Sequence, residues 1–148
     1  MSEFSYQSDL RLDEKIMVTI VRIGELFKKD SATIFKNYGL TFPQYNVLRV
    51  LDGTKTGQNT VTNIGKVLLV TCANMTGIAK RLEKNGFLLR KGDPKDERVT
   101  LLEITPKGRQ TLSNISESKD RNIGRYLDDF TEEEKELFLK KLRNLLNK

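Results

Sequence analysis

The chain has 148 residues, of which 37% are hydrophobic and 31% are charged, and its formal net charge is +6. This length and balance are typical of one soluble folded domain and argue against a disordered chain, and no apolar run is long enough to span a membrane. The chain has no histidine and one cysteine, so it lacks the commonest metal ligand and general base and cannot form an internal disulfide, and its polar, acidic N-terminus agrees with a cytoplasmic protein rather than a secreted one.

A long first helix is predicted over residues 10–36. Within it Ile16, Ile20 and Ile23 recur at steps of four and three residues, which places them on one face. Gly39 is expected to end this segment, because glycine readily adopts the left-handed conformation that follows many helices. The apolar stripe fits either the core of the same chain or a seam with a second chain.

A second helix is predicted to begin after Thr41, whose hydroxyl can cap it, with Pro43 in its first turn. Asp52 and Gly53 combine turn chemistry with backbone freedom, so this helix should end there. The residues from Gly53 to Thr60 are polar and predict a loop.

A short third helix and a fourth helix follow, with a tight break between them. Thr62 can cap the third helix, Leu69 and Val70 make the break, and Thr71 can cap the fourth helix, residues 71–85. The buried stripe of the fourth helix consists of Met75, Ile78, Ala79 and Leu82. A short helix, a tight connection and a second helix are the parts of a helix-turn-helix, a motif that binds DNA.

The outer face of the fourth helix is small and polar. The residues predicted to cap it, to point outward or to flank the outward face are Thr71, Ala73, Asn74, Thr76, Gly77, Lys80, Arg81 and Lys84. Small residues allow close approach to another surface, and the polar ones can donate to phosphates and base edges. An ordinary solvated face is the alternative, although Gly77 would then weaken the helix by about 1 kcal/mol relative to Ala for no structural reason.

Two β-rich runs, residues 87–91 and 99–104, come next and are joined by the charged stretch GDPKDER. Gly92 to Pro94 are expected to make the bend of a hairpin. A hairpin that directly follows a helix-turn-helix is typical of a winged helix.

Two more helices are predicted at the C-terminal end. Thr105 can cap the first, Pro106 fits its first turn, and its apolar residues extend to about Leu127. Thr131 opens a capping box that begins the last helix. The apolar stripe of the last helix consists of Phe138, Leu142 and Leu145.

The excess positive charge lies in the middle of the chain. Residues 41–110 hold twelve Lys and Arg against six Asp and Glu, whereas the two signs are balanced in residues 1–40 and in residues 111–148. A concentrated basic segment favours a polyanionic partner such as nucleic acid, because phosphate contacts release counterions. A lysine-rich solvated surface is the alternative.

Few side chains could carry out chemistry. Cys72 lies about 60° from the buried centre of the fourth helix, and we expect it to be a half-buried packing residue rather than an oxidant-sensing thiol. The sequence shows no nucleophile with a base, no phosphate-binding glycine loop and no cluster with metal-ligand spacing. We therefore expect no enzymatic activity, no metal and no cofactor.

Two stretches carry a family resemblance, LTFPQYNVLRVL at 40–51 and VTCANMTGIAKRLEKNGFLLRKGDPKDERVTLLEITPKGR at 70–109. Their most specific part is the pattern D-P-x-D-x-R that ends at Arg98, followed by ITPKG. Together they resemble the MarR family of bacterial regulators, the multiple-antibiotic-resistance type. One departure is Ile64-Gly65, where the family usually has Leu-Ala, and we expect it to soften the third helix.

The resemblance implies how such a protein binds. It implies a homodimer whose first and last helices interleave, through the dimerisation residues Ile16, Ile20, Ile23, Phe138, Leu142 and Leu145. It implies that helix 71–85 reads the major groove and that Arg98 enters the minor groove, with Asp96 orienting it through an ion pair. Lys91 and Lys95 are the other wing residues expected at DNA, and Glu97 should face away from the phosphates.

We therefore expect a mainly α-helical fold with a small β-hairpin wing. A winged helix-turn-helix at 40–109 is flanked by dimerisation helices in 1–39 and 110–148, all within one structural domain. The expected function is a sequence-specific transcriptional regulator, a homodimeric repressor at a pseudo-palindromic site in double-stranded DNA. The resemblance also implies release by a small amphipathic or phenolic effector, although the sequence identifies no residue that binds one. The alternative is a winged-helix module that binds proteins instead of specific DNA.

Overall fold

The computed structural model describes residues 9–148; residues 1–8, which carry part of the polar N-terminal segment and of the predicted unit 1–39, lie outside the described residues. In chain order the elements are α1 (Leu12–Lys36), α2 (Phe42–Gly53), β1 (Gln58–Thr60), α3 (Val61–Leu68), α4 (Cys72–Lys84), β2 (Leu88–Asp93), β3 (Asp96–Ile104), α5 (Pro106–Leu127) and α6 (Glu132–Leu146). The predicted fold class, mainly helical with a small β wing, is confirmed.

Threonine hydroxyls cap the helices from α2 to α6. The predicted caps Thr41, Thr71, Thr105 and Thr131 are confirmed. The cap of α3 is Thr60, whose hydroxyl accepts the backbone N–H of Asn63 at 3.0 Å, and not Thr62 as predicted. The helix begins earlier because Thr60 is the last residue of β1, and the chain passes directly from this strand into α3.

The sheet has three antiparallel strands in the order β1-β3-β2. β2 and β3 form the predicted hairpin, but Gly92 and Asp93 still belong to β2, and Asp93 pairs with Asp96. The turn therefore consists of Pro94 and Lys95, and the predicted bend from Gly92 to Pro94 is misplaced. An Asp93 carboxylate oxygen accepts the backbone N–H of Lys95 at 2.9 Å, which closes this turn.

The predicted loop from Gly53 to Thr60 contains β1, a strand that was not predicted and that adds to the hairpin of β2 and β3. Gln58 pairs with Glu103 and Thr60 with Leu101 of β3. The loop prediction is therefore wrong for residues 58–60. All three are polar, so they lack the alternation of apolar and polar side chains that indicates a strand in a sequence.

The core lies between α2, the helix-turn-helix and the sheet, with α2 at its centre. The fully buried side chains are Val47, Leu48 and Leu51 of α2, Ile64 of α3, Met75 and Leu82 of α4, Leu88 of β2, Leu102 of β3 and Ile115 of α5. Phe35, near the end of α1, stacks on Tyr45 with ring centroids 3.9 Å apart. The C-terminal end of α1 is thereby joined to this core.

Two glycines allow backbone segments to meet closely. A Cβ on Gly65 would lie 2.8 Å from the carbonyl oxygen of Val70, and a Cβ on Gly108 would lie 2.4 Å from that of Phe87. Gly65 thus lets the turn of the helix-turn-helix fold back on α3, where its own carbonyl accepts the Val70 N–H at 2.9 Å. The expectation that Gly65 softens α3 misses this role, which only the position of the turn reveals.

The terminal helices are much less buried than the middle of the chain. α6 has no buried residue, and those of α1, Ser31 and Phe35, lie in its C-terminal half. Of the sixteen large apolar side chains exposed in residues 9–148, seven lie on α1 and five on α6. These two helices therefore present apolar faces that the rest of residues 9–148 leaves uncovered.

Candidate nucleic-acid interface

The predicted DNA-reading face of α4 is accessible. Thr71 accepts the backbone N–H of Asn74 at 3.3 Å and so fixes the start of the helix. The residues exposed on this face are Ala73, Asn74, Thr76, Lys80, Arg81 and Lys84. Gly77 is half-buried, but apart from its chain neighbours and the backbone of its own helix no atom lies within 4 Å of the position of a Cβ there, so the space above it is open.

The wing arginine is held in one orientation and remains open to solvent. Asp96 Oδ1 accepts hydrogen bonds from the backbone N–H of Arg98 at 3.1 Å and from its Nε at 3.0 Å, and Oδ2 accepts from Nη2 at 3.2 Å. These hydrogen bonds hold the pKa of the Asp96 carboxyl below its usual range. The Arg98 side chain is 91% exposed, so its guanidinium is directed by the carboxylate without being covered.

The two predicted wing lysines lie in different surroundings. Lys95 is exposed in the turn at the tip. Lys91 forms an ion pair with Glu103, and hydrogen bonds from Lys91 and Gln58 lower the pKa of the Glu103 carboxyl. Because successive side chains of a strand point to opposite faces, Lys91 lies on the face of the sheet opposite that of its neighbour Arg90. The structure therefore does not bring Lys91 together with the residues of α4.

A cleft of about 220 Å³ separates α4 from the wing. Its lining residues are Val61, Thr62, Cys72, Thr76, Ala79, Arg90, Arg98, Val99 and Thr100. Arg90 is a basic residue that sequence reasoning missed, although its spacing of two from the buried Leu88 would have placed it on the face toward α4. Arg90 and Arg98 of the wing therefore lie on the same surface as Thr76 of α4.

Cys72 is exposed rather than half-buried as predicted. Cys72 is the first residue of α4, and its side chain lines the cleft between α4 and the wing instead of packing on α3. The helical angle alone could not show this, because it describes the direction of a side chain and not where the neighbouring helix ends.

The predicted dimerisation residues lie together on one groove between α1 and α6. The groove is lined by apolar residues that include Ile16, Ile20, Ile23, Phe138, Leu142 and Leu145. Four of them are exposed, and Ile20 and Leu142 are half-buried.

A second apolar cavity, of about 410 Å³, lies between α1, α5 and α6. Phe27 and Tyr126 line it, with ring centroids 5.9 Å apart in an edge-to-face arrangement. The Tyr126 hydroxyl donates to an Asp30 carboxylate oxygen at 2.5 Å, and this hydrogen bond raises the pKa of the tyrosine. The cavity is therefore almost wholly apolar, with Lys135 in its lining and with the hydroxyl of Tyr126 hydrogen-bonded to a residue outside it.

Within residues 9–148 there is neither a metal site nor a single helix that could span a membrane. No group of three His, Cys, Asp or Glu side chains there could hold a metal ion. No single helix in the same range is long and apolar enough to cross a membrane; α3 and α4 together reach that length and composition, but they meet at 111° and bury apolar residues in the core.

Comparison with known proteins agrees with this geometry. A family model described as the MarR family matches residues 40–100. The transcriptional regulator MhqR of Bacillus subtilis is 30% identical over 108 residues, which are 73% of this chain and 73% of MhqR. The transcriptional repressor YetL of the same organism is 27% identical over 114 residues, 77% of this chain and 68% of YetL.

A solved structure shares the fold. Sco3205 of Streptomyces coelicolor, a MarR family regulator crystallised in complex with DNA, matches with a TM-score of 0.84 and 19% identity, over 93% of this chain and 91% of its own. At this identity the match establishes the fold alone. With the family model, the MhqR relationship and the winged helix all in agreement, the chain belongs to the MarR family of transcriptional regulators.

Proposed function

We propose that this regulator binds, as a homodimer, a pseudo-palindromic site in double-stranded DNA and represses transcription there. One continuous surface carries the proposal: Thr76 of α4 and Arg98 of the wing line the same cleft. A helix with small and polar outward residues fits the major groove, and a directed guanidinium fits the narrow, strongly negative minor groove beside it. The roles of the individual residues of α4 and the wing are part of this proposal.

Charge supports the same partner. Lys80, Arg81 and Lys84 are exposed along α4, and Lys95 is exposed at the tip of the wing. All of these residues lie in the segment that carries the excess positive charge. Phosphate contacts by such residues would make binding strongly dependent on salt.

The uncovered apolar faces of α1 and α6 support the homodimer. A second copy of this chain can cover both faces symmetrically, because a twofold interface uses the same patch on each subunit. Such a dimer would present two α4 helices about 34 Å apart, one turn of DNA. Two copies of one recognition surface then favour an inverted repeat.

The sign of regulation and its control form a further part of the proposal. YetL is named as a repressor, and repression is the sign that we propose here. The cavity at Tyr126 has the size of small-molecule sites, and we propose that a small phenolic or amphipathic molecule bound between the helices of the dimer region relieves DNA binding. Acting on DNA inside the cell, the protein would be cytoplasmic.

Selection from a pool of randomised DNA duplexes tests the function. The purified full chain is expected to enrich an inverted repeat whose half-sites lie about 10 base pairs apart, centre to centre. Lys84→Glu should lose binding to the enriched duplex, whereas Lys140→Glu, the same charge change at an exposed position of α6, should retain it.

A folded dimer that enriches no sequence, and whose weak binding is the same for every duplex, would contradict the proposal. That outcome would favour the alternative, a winged-helix module that binds proteins. Equal binding by the Lys84→Glu and Lys140→Glu variants would instead remove α4 from the DNA-reading surface.

A further inference from the structure

One acidic side chain ties the recognition helix to the wing. Glu83, in the last turn of α4, accepts two hydrogen bonds from Arg90 of β2: Oε2 accepts the backbone N–H at 3.0 Å, and Oε1 accepts Nε of the guanidinium at 2.9 Å. Within residues 9–148 these are the side-chain hydrogen bonds that join α4 to the two wing strands. Because one contact is to the backbone, Glu83 holds the strand itself and not only a flexible side chain.

A short turn and the buried core also connect α4 to the base of β2. Gly86 adopts a φ of 81°, and the backbone N–H of Phe87 donates to the Leu82 carbonyl at 3.0 Å. Leu88 is fully buried, but the residues of β2 beyond it are exposed or half-buried. Arg90 is therefore the place where the outer part of the wing is fastened to the helix, two residues past the buried base.

Arg90 and Arg98 both line the cleft between α4 and the wing. Fixing Arg90 therefore fixes the strand pair that carries Arg98. The hydrogen bonds from Arg90 hold the pKa of the Glu83 carboxyl below its usual range, so the carboxylate stays ionised at neutral pH. On charge alone, an anion beside a DNA-facing cleft would weaken binding to phosphates.

We propose that Glu83 is a positioning residue for DNA recognition: through Arg90 it holds the wing at a set angle to α4, so that Arg98 meets the minor groove when α4 occupies the major groove. This inference rests on the proposed DNA binding. It assigns a favourable role to a carboxylate that simple electrostatics would count as unfavourable.

The positioning role and simple charge repulsion predict opposite changes in DNA affinity when Glu83 is replaced. Glu83→Ala is expected to weaken binding to the selected duplex by about tenfold, a large part of the loss expected for removing Arg98. Glu97→Ala is the matched control, because it removes the same charge from an exposed wing residue that has no ion pair in the described part of the chain. Glu97→Ala should bind as tightly as the unmodified chain or more tightly. Glu83→Gln keeps an oxygen for the Arg90 N–H, should bind with intermediate affinity, and replaces Glu83→Ala if that variant fails to fold.

A double-mutant cycle then tests the route of the effect. If Glu83 acts through the wing, Arg98→Ala should cost little more once Glu83 has been replaced. Additive losses, or a Glu83 variant that binds as tightly as the Glu97 variant, would overturn the inference. If Arg98→Ala has no effect in the unmodified chain, or that chain binds no duplex, the proposed function fails instead.

Discussion

The middle of this chain and its two terminal helices use their apolar residues differently. In residues 40–109 each helix and the β2-β3 hairpin send fully buried side chains into one core. α6 buries none, and the exposed apolar residues of α1 begin at Leu12 and continue to Leu26. The middle therefore buries its apolar residues within the described chain, whereas α1 and α6 leave most of theirs exposed, as the proposed homodimer requires.

The largest expected effect comes from placing a charge in the apolar groove between α1 and α6, the proposed dimer interface. Leu142→Glu should prevent dimerisation, because a buried unpaired carboxylate costs about 3 kcal/mol in each of the two copies. Sedimentation equilibrium measures the association directly. Lys140→Glu introduces the same residue on the exposed side of α6 and should leave the dimer intact. If Leu142→Glu remains a dimer of normal affinity, α6 is not the seam and the contrast between middle and ends fails.

The next effect tests how tightly the middle is packed. Gly108→Ala should lower the free energy of unfolding by about 3 kcal/mol, because the new Cβ would meet backbone that cannot move aside. That Cβ would lie 2.4 Å from the Phe87 carbonyl oxygen and 2.7 Å from Ile104 Cγ1. Gly77→Ala has open space around it and should instead raise stability, by up to about 1 kcal/mol. Denaturant unfolding compares the two, and equal effects would show that the packing around Gly108 is loose.

A smaller effect separates the two faces of the wing. Arg98→Ala should weaken binding to the selected duplex by about 1–3 kcal/mol. It should also reduce the slope of the logarithm of the binding constant against the logarithm of the salt concentration by about one. Lys91→Ala removes the same charge from the face that pairs with Glu103, so its effect should be clearly smaller. Fluorescence anisotropy at several salt concentrations measures both variants. A larger loss for Lys91 would reverse the assignment of the faces.

The smallest expected effect concerns Leu69, an exposed residue within the well-packed segment 40–109. Leu69 is 84% exposed and has a left-handed backbone with φ 56° and ψ 44°, a conformation that costs a leucine roughly 1 kcal/mol. Leu69→Asn should therefore raise the free energy of unfolding by about 0.5 kcal/mol. Val67→Asn, at an exposed position with helical backbone, should change it little. A loss of stability at Leu69 would mean that its side chain makes contacts that this single chain does not show.

The helices were predictable because local rules decide them. Thr41 and Thr131 lie three residues before Gln44 and Glu134, and both pairs form complete capping boxes. The stripe of α4 placed Met75, Ala79 and Leu82 in the core, where all three are buried. The Asp96–Arg98 contact was implied by the family resemblance and not by the predicted strands, which left both residues in the connecting segment although they belong to β3.

Features that depend on a distant neighbour could not be predicted in this way. β1 is a strand because β3 supplies its hydrogen bonds, not because Gln58, Asn59 and Thr60 favour one. Glu83 and Arg90 are both common surface residues, and only the turn between α4 and β2 brings them together. The exposed Cys72 and the close approach at Gly65 likewise follow from where a neighbouring segment ends or turns back.

The length of α1 has a mechanical consequence. Its 25 residues form a rod about 37 Å long, uncovered at one end and anchored at the other, where Phe35 stacks on Tyr45. If α1 tilted by about 5° where it meets the proposed dimer partner, its C-terminal end would move by about 3 Å, which is close to the rise of one base pair. In the proposed homodimer, a small tilt of α1 would therefore shift the DNA-binding surface of one subunit relative to that of the other by about one base pair.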